Sequence, residues 1–214
     1  MSPILEWDKT GERTFHTGVD RGVLYLMDGT YAVWNGLVSV DSGSADMELQ
    51  SFFLDGVKYL EKITPGEFSG KLKAITYPDE FEKALGIIDV SPGLEYHDQV
   101  PQPFNLTYRT LLGNDVNGTS LGYKIHLLYN LVADPETVSY DSLSDSPQLT
   151  EFVWGLTGTP PRIPGTRPTV HVALDSRDIP EEVLTILEES LYGTESTDPV
   201  FLSLADINEV FESI

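Results

Sequence analysis

Regular alternation of side chains between Phe104 and Leu131 constrains this chain more than any other feature. Leu106, Tyr108, Thr110 and Leu112 share one face of a strand, and Tyr123, Ile125, Leu127, Tyr129 and Leu131 share a face of a second. A period of two is what a strand with one buried face requires. Gly113 to Gly122 reads as a polar, glycine-bearing turn between them. A third strand is expected over Leu149 to Thr157 around Trp154, and a fourth over Pro168 to Asp175 with Val170, Val172 and Leu174 inward. Strands so far apart in sequence must come together, so the expected architecture is mainly β: an antiparallel β-sandwich or partly closed barrel with a flanking α-helix.

The first third carries the same punctuation. Val23 to Met27 precedes Asp28-Gly29, Asn35-Gly36 interrupts Tyr31 to Val40, and Asp55-Gly56 separates Glu48 to Leu54 from Val57 to Ile63. Phe68 to Tyr77 follows Pro65-Gly66. Asx-Gly pairs are hairpin turns, so a meander of antiparallel strands is expected here. Pro78 opens a short helix with Asp79 and Glu80 at its positive end, and Gly86 stops it. From Gly86 to Pro103 the chain contains Pro92, Gly93 and Pro101 and shows no clear period. A loop of that length is either a functional arm or an unrecognised element.

The strongest helical pattern lies near the C-terminus. Asp178 and Glu181 are placed as a capping box, Pro180 sits in the first turn, and Val183, Leu184, Ile186, Leu187 and Leu191 form an apolar face that ends before Gly193. Glu188 and Glu189 occupy the last turn, where the helix dipole disfavours acids. A short final helix is expected from Asp206 to Phe211. The organisation read from this is a main β domain over residues 1–193 and an acidic extension over 194–214.

Charge narrows the function. With 13 basic against 34 acidic residues the formal charge is −21, and from Asp175 to the end eleven acids face Arg177 alone. Such a surface repels phosphate, which disfavours tight binding to DNA or RNA and to anionic lipid. The chain is nonetheless 40% apolar and 10% aromatic, a composition that folds. Cysteine is absent, which excludes disulfide and thiolate chemistry. Met1 to Lys9 lacks the basic start and apolar run of a signal peptide, and no run approaches the ~20 apolar residues of a membrane helix.

No catalytic, cofactor-binding or metal residue is assigned. The chain contains no nucleophile elbow, phosphate loop, dinucleotide fingerprint or zincin helix. His16, His97, His126 and His171 read as isolated structural histidines with no metal spacing. Asp79 or Glu82 with another acid from a facing strand is a weak signal for a glycosidase pair and ranks below the reading of Asp79 and Glu80 as first-turn acids of a helix. Asp115, Asn117 and Gly118 read as a turn rather than a calcium loop. Asn105 and Asn117 match glycosylation sequons without a secretion signal. Arg109 projects from the face opposite Leu106 and Leu112, and either meets an acid across the sheet or a subunit boundary or lies solvated; Arg21 is a second candidate.

The ordered segments Trp7-Asp8-Lys9-Thr10-Gly11-Glu12, Gly18-Val19-Asp20-Arg21-Gly22-Val23-Leu24-Tyr25, Trp34-Asn35-Gly36-Leu37, Thr76-Tyr77-Pro78-Asp79-Glu80-Phe81, Tyr108-Arg109-Thr110-Leu111-Leu112-Gly113-Asn114-Asp115 and Gly122-Tyr123-Lys124-Ile125-His126-Leu127 give the chain a likeness. In this order they resemble the major tail tube protein of long non-contractile-tailed bacteriophages (siphophages) of actinobacterial hosts, from Trp7 to Gly193. The resemblance implies a non-enzymatic virion protein, assembled in the host cytoplasm, without cofactors or membrane contact. Its copies would form rings, usually sixfold, stacked head to tail into a hollow tube. The implied partners are further copies of itself, a tape-measure protein, a tail terminator and tail-tip proteins, and DNA passes through the lumen without specific binding during ejection. Gly86 to Pro103, or the polar loop Asp41 to Asp46, is the expected inter-ring arm. The rivals are a carbohydrate-binding or carbohydrate-processing β-sandwich using Trp34, Trp154 and Tyr123 as stacking residues, and another phage assembly protein such as a tail terminator.

Overall fold

A computed structural model of the chain describes residue 4 and residues 6–43, 48–64, 67–138, 140, 149–162 and 167–212. Among these residues the strands are β1 (Thr14–Leu26), β2 (Tyr31–Trp34), β3 (Leu37–Gly43), β4 (Glu48–Leu54), β5 (Val57–Thr64) and β6 (Phe68–Ala74). A 3-10 turn (Asp79–Phe81) runs into α1 (Glu82–Leu85). Then come β7 (Ile88–Ser91), β8 (Leu94–Tyr96), β9 (Phe104–Asn114), β10 (Gly118–Pro135), β11 (Phe152–Gly158), β12 (His171–Asp175), α2 (Glu181–Tyr192) and α3 (Leu204–Glu212).

The protein is mainly antiparallel β, as the alternation requires. One eight-stranded sheet has the order β2-β1-β9-β10-β11-β6-β3, with β12 paired to β10 off this path. Its end strands β2 and β3 are joined by Asn35-Gly36 but not hydrogen-bonded to each other, so the sheet curls around a core without closing. Inside the curl Leu24, Trp34, Leu72, Leu106, Tyr108, Leu128, Leu131, Trp154 and Leu156 are buried together. Phe81 reaches this core from the 3-10 turn, with its ring 4.4 Å from Trp34, 5.2 Å from Trp154 and 5.2 Å from Phe104. That packing holds a helical segment too short to stand by itself.

The outer face has its own core. Ile125, Leu127, Tyr129 and Leu174 from the sheet meet Val183, Leu187 and Leu191 of α2, together with Leu202 and Ile207. The segment leading into α3 is tied down by specific bonds as well as by apolar burial. Tyr25 donates its hydroxyl to the Leu191 carbonyl, Tyr129 donates to the Leu202 carbonyl at 3.1 Å, and the Phe201 ring lies between them, 5.2 and 4.9 Å from their centroids.

One strand serves both cores. Residues 124–128 of β10 pair with β9 on one side and β12 on the other, and residues 131–135 pair with β11. The exchange of partner happens at Asn130, whose φ of 48° is left-handed. The register between β9 and β10 shifts there, and the Asn105 side-chain oxygen accepts the Asn130 N–H at 2.8 Å, supplying the partner that the ladder cannot. Asn105 is therefore a structural plug. Thr107 of the same sequon is fully buried.

Three expectations need correction. The early meander does not form: β3 pairs with β6, while β4 and β5 between them close on each other as a separate hairpin. Asp55 and Gly56 both take positive φ, 51° and 76°, so the turn closes locally without help from the main sheet. Within Gly86 to Pro103, β7 and β8 form a second detached hairpin around Pro92-Gly93. At α2 the N-cap is Pro180, with φ −55° and ψ 141° and no side-chain cap; Asp178 lies in the preceding turn, donating its N–H to Asp175. The extended ψ of Pro180 starts the helix at Glu181, so the pair Asp178 and Glu181 does not form a capping box.

The bend at Asn130 gives a direct test. Asn130→Val places a β-branched side chain at a left-handed φ and should cost about 1–3 kcal/mol. Asn130→Gly should stay within about 1 kcal/mol of wild type. Urea midpoints of the three proteins measure both.

Candidate functional site

Arg109 of β9 points to the outer face and finds an acid across the sheet. Its Nε and a terminal guanidinium nitrogen each donate to Asp20 of β1 at 2.7 Å, which holds the Asp20 carboxyl below its ordinary value. The same guanidinium lies 4.8 Å from the Tyr123 ring centroid, and the Tyr123 hydroxyl donates to Glu188 at 2.6 Å. Glu188, unfavourably placed for its own helix dipole, is thus an acceptor that fastens α2 to the sheet, alongside the Leu191 carbonyl that accepts from Tyr25. Arg21, at φ 48°, lies 5.8 Å from the Tyr192 ring centroid. This group joins β1, β9, β10 and α2 as a structural brace.

The histidines correct the sequence reading in one respect. His126 and His171 are not isolated: β10 and β12 bring His126 Nδ1 and His171 Nε2 to 2.8 Å, so one nitrogen carries a proton and the other accepts it. Thr110 Oγ1 lies 2.9 Å from His126 Nε2, and Tyr108 stacks on the imidazole at 4.6 Å and 8°. Burial first, then the electrostatic effect of His171, Lys124 and His16, lowers the His126 pKa to about 4. Burial lowers His171 as well. Alternation places each histidine on a strand, but register alone decides that they meet.

Other candidates resolve as structural groups. Trp34 and Trp154 are each 2% exposed, so neither can stack a sugar; Trp34 donates its indole N–H to the Thr76 carbonyl at 2.9 Å. Asp115 accepts the Gly11 N–H at 2.9 Å and Asn114 donates to the Gly11 carbonyl at 2.9 Å, which makes the turn an anchor for the residues before β1. Asp79 lies in the 3-10 turn as expected of a helix-start acid. Among the described residues the carboxylates of Glu82, Asp89 and Glu95 converge within 4.8 Å of one another, a set that could hold a cation. Burial, then repulsion from Glu95, Asp79 and Asp89, raises the Glu82 pKa.

Apolar surface left uncovered is the feature that sequence reasoning missed. On the β4–β5 hairpin Phe52, Phe53, Val57 and Tyr59 are 50%, 64%, 69% and 75% exposed, and Leu49, Leu54 and Leu60 are more than half exposed. Cross-strand pairing puts Phe52, Leu54, Val57 and Leu60 on one face and Leu49 and Phe53 on the other. The first face is apolar along its centre, whereas on the second Leu49 and Phe53 stand beside Ser51, Lys58 and Glu61. The outer edges of β4 and β5 also lack strand partners among the described residues. A soluble monomer rarely displays such a surface without a use for it. The exposure was not legible because alternation assigns faces within a strand and says nothing of whether the strand joins the main sheet.

No protein-family model matches the chain, and no curated protein matches it. Among solved structures, the chain is similar to a component of an extracellular contractile injection system, the PVC sheath-tube complex in its extended state. That match has 16% identity and a TM-score of 0.35 and covers 72% of this chain and 88% of the other. A second is the baseplate of the anti-feeding prophage, with 10% identity and a TM-score of 0.33 over 79% of this chain and 97% of the other. These neighbours are parts of a sheath-tube complex and of a baseplate, and the likeness is partial.

The histidine pair makes stability depend on pH with a definite sign. Unfolded histidine takes up a proton as pH falls through about 6.5, whereas the folded pair resists until His126 titrates near 4. Stability is therefore lost as pH falls across that window, on the order of 1–2 kcal/mol once solvent screening is allowed for. Denaturant midpoints of wild type and His126→Gln between about pH 4.5 and 7.5 check this, and the variant should show the shallower dependence.

Proposed function

We propose that the protein is a structural subunit of a phage tail tube, polymerising through rings that stack into a hollow conduit. The observation that carries this reading is the β4–β5 hairpin, an arm with an exposed apolar face and with both outer edges unpaired among the described residues. At eight residues β5 makes this arm roughly 25 Å long, enough to reach across a subunit boundary. Covering it with a further copy of the chain removes apolar surface from water at about 25 cal/mol per Å² and uses strand edges that a monomer must otherwise protect.

The ordered segments from Trp7 to Gly193 support the siphophage tube as the particular assembly, with tape-measure, terminator and tip proteins as partners. In this reading residues 1–193 form the wall unit and 194–214 an acidic extension, whose Leu202 and Ile207 sit against α2 on the outer face. Its place is the virion tail, its role non-enzymatic, and its rings are sixfold. A bore lined by a chain of charge −21 keeps a DNA polyanion from adhering during ejection. Repulsion between copies is screened over roughly 8 Å at physiological salt, which leaves apolar and strand-edge contacts to decide association. Of the two arms expected from sequence, residues 44–46 of the Asp41 to Asp46 loop lie outside the described residues, and Asp41 to Gly43 belong to β3. We assign the arm to β4–β5.

The test replaces Phe52, Phe53 and Leu60 with serine. The triple variant should unfold thermally within a few degrees of wild type, because these residues lie outside both cores, yet form no tubes by negative-stain microscopy of concentrated protein. Tubes of normal appearance from the variant would remove the arm. Discrete closed rings from wild type would favour the terminator instead.

A further inference from the structure

The inner face of the curled sheet is apolar at its centre and changes character beyond Tyr108 and Leu128. There β10 places His126 opposite Tyr108 of β9 and Ala173 of β12, so that Thr110 and His171 stand diagonal to it on its two neighbours. Diagonal residues on one face are within reach of long side chains. The two imidazoles meet with His126 Nδ1 2.8 Å from His171 Nε2. Thr110 Oγ1 lies 2.9 Å from the far nitrogen of His126, and the Tyr108 ring, stacked at 4.6 Å, fixes the plane of the imidazole. His171 Nδ1 has no hydrogen-bond partner among the described residues.

A hydrogen bond between two neutral imidazoles makes one facing nitrogen a donor and leaves a lone pair only on the other. His171 is free to change that. Because nothing holds its Nδ1, the ring can carry its proton there and turn a second lone pair toward His126, whose own proton stays on Nε2 against the Thr110 oxygen. Two facing lone pairs, with one ring oriented from behind by a hydrogen bond, are the arrangement in which imidazoles ligate a metal ion. Burial favours it, since it keeps both rings uncharged at neutral pH. Zinc–nitrogen bonds of about 2.0–2.1 Å in a tetrahedral site set the two nitrogens roughly 3.3 Å apart, so the rings need to part by only about half an ångström. Neither imidazole is fully buried, which leaves an approach from solvent. Lys124, on the same face, is paired to Asp175 at 3.4 Å, and the net charge of −21 draws cations to the surface.

We propose that His126 and His171 bind a divalent transition-metal cation of the zinc and nickel class through their facing nitrogens, with water in the remaining positions. Imidazole selects this class, whereas the carboxylates that dominate the rest of the surface suit calcium and magnesium. No proton is lost: the one between the rings moves to His171 Nδ1 as the metal takes its place. A bound ion ties β12 to β10 at the platform beneath α2, beside the bend at Asn130. The site lies within a single copy and does not depend on the tube reading.

Zinc chloride titrated into the full chain below its assembly concentration, followed by calorimetry, tests the site. Wild type should bind zinc, and excess calcium chloride should not displace it. His126→Gln and His171→Gln should each weaken binding by at least about tenfold, and Thr110→Val, which removes only the hydrogen bond behind His126, by about tenfold. Where His126→Gln does not fold, the imidazole NMR signals of wild type answer instead: those of His126 and His171 should move on adding zinc while those of His97 stay. Wild type that binds no zinc, or a His171→Gln variant that binds it equally well, overturns the site. So does binding that calcium displaces or that only His97→Gln abolishes, since either puts the ion on the carboxylates of Glu82, Asp89 and Glu95, which His97 adjoins.

Discussion

The fold depends on a single bent strand. β10 pairs with β9 along most of its length but has only one other edge, and that edge is shared between β12 and β11 by turning at Asn130. Straight, the strand could complete either the curled sheet or the platform beneath α2, but not both. The left-handed residue and the Asn105 oxygen that satisfies its N–H make the division possible. Everything after residue 170 hangs on the β12 side of this fork, and the return to β6 and β3 hangs on the β11 side.

Two cores follow, and they are held differently. The inner one is an aromatic and aliphatic cluster in which Trp34, Phe81 and Trp154 contact one another directly. The outer one is bound by apolar packing and also by bonds that tyrosines donate to backbone carbonyls, Tyr25 to Leu191 and Tyr129 to Leu202. Arg109, Asp20, Tyr123 and Glu188 brace the boundary between sheet and helix. A chain so rich in acid uses its few cations this way: Lys71 holds Glu136, Lys124 and Arg177 share Asp175, and Lys83 holds Asp28.

The alternation was legible from Phe104 to Tyr129 because burial imposes it, but Leu131 and Val170, read on one face with Tyr129 and with Leu174, lie in the inner core while those two lie in the outer one, because the strand turns over at Asn130. Arg109 was legible too, since its opposite-face position already pointed to an acid across the sheet. What the sequence could not show is which strands join which. The separate closure of β4–β5 depends on the positive φ of Asp55, and the meeting of His126 with His171 depends on a register set by strands 45 residues apart. In β7–β8 a signal existed, since Ile88 and Val90 mirror Leu94 and Tyr96 about Pro92-Gly93, but at three and four residues each strand is too short for a period to stand out.

Many of the uncovered apolar side chains, from Leu49 to Leu60 and from Ile88 to Tyr96, sit on hairpins that contribute nothing to either core. Folding and adhesion are consequently written in separate parts of the chain. Substitutions in the hairpins can change what the protein sticks to, and how strongly, while the curled sheet keeps its stability. A lineage of such proteins is free to drift in what its hairpins display while the curled sheet beneath stays superimposable.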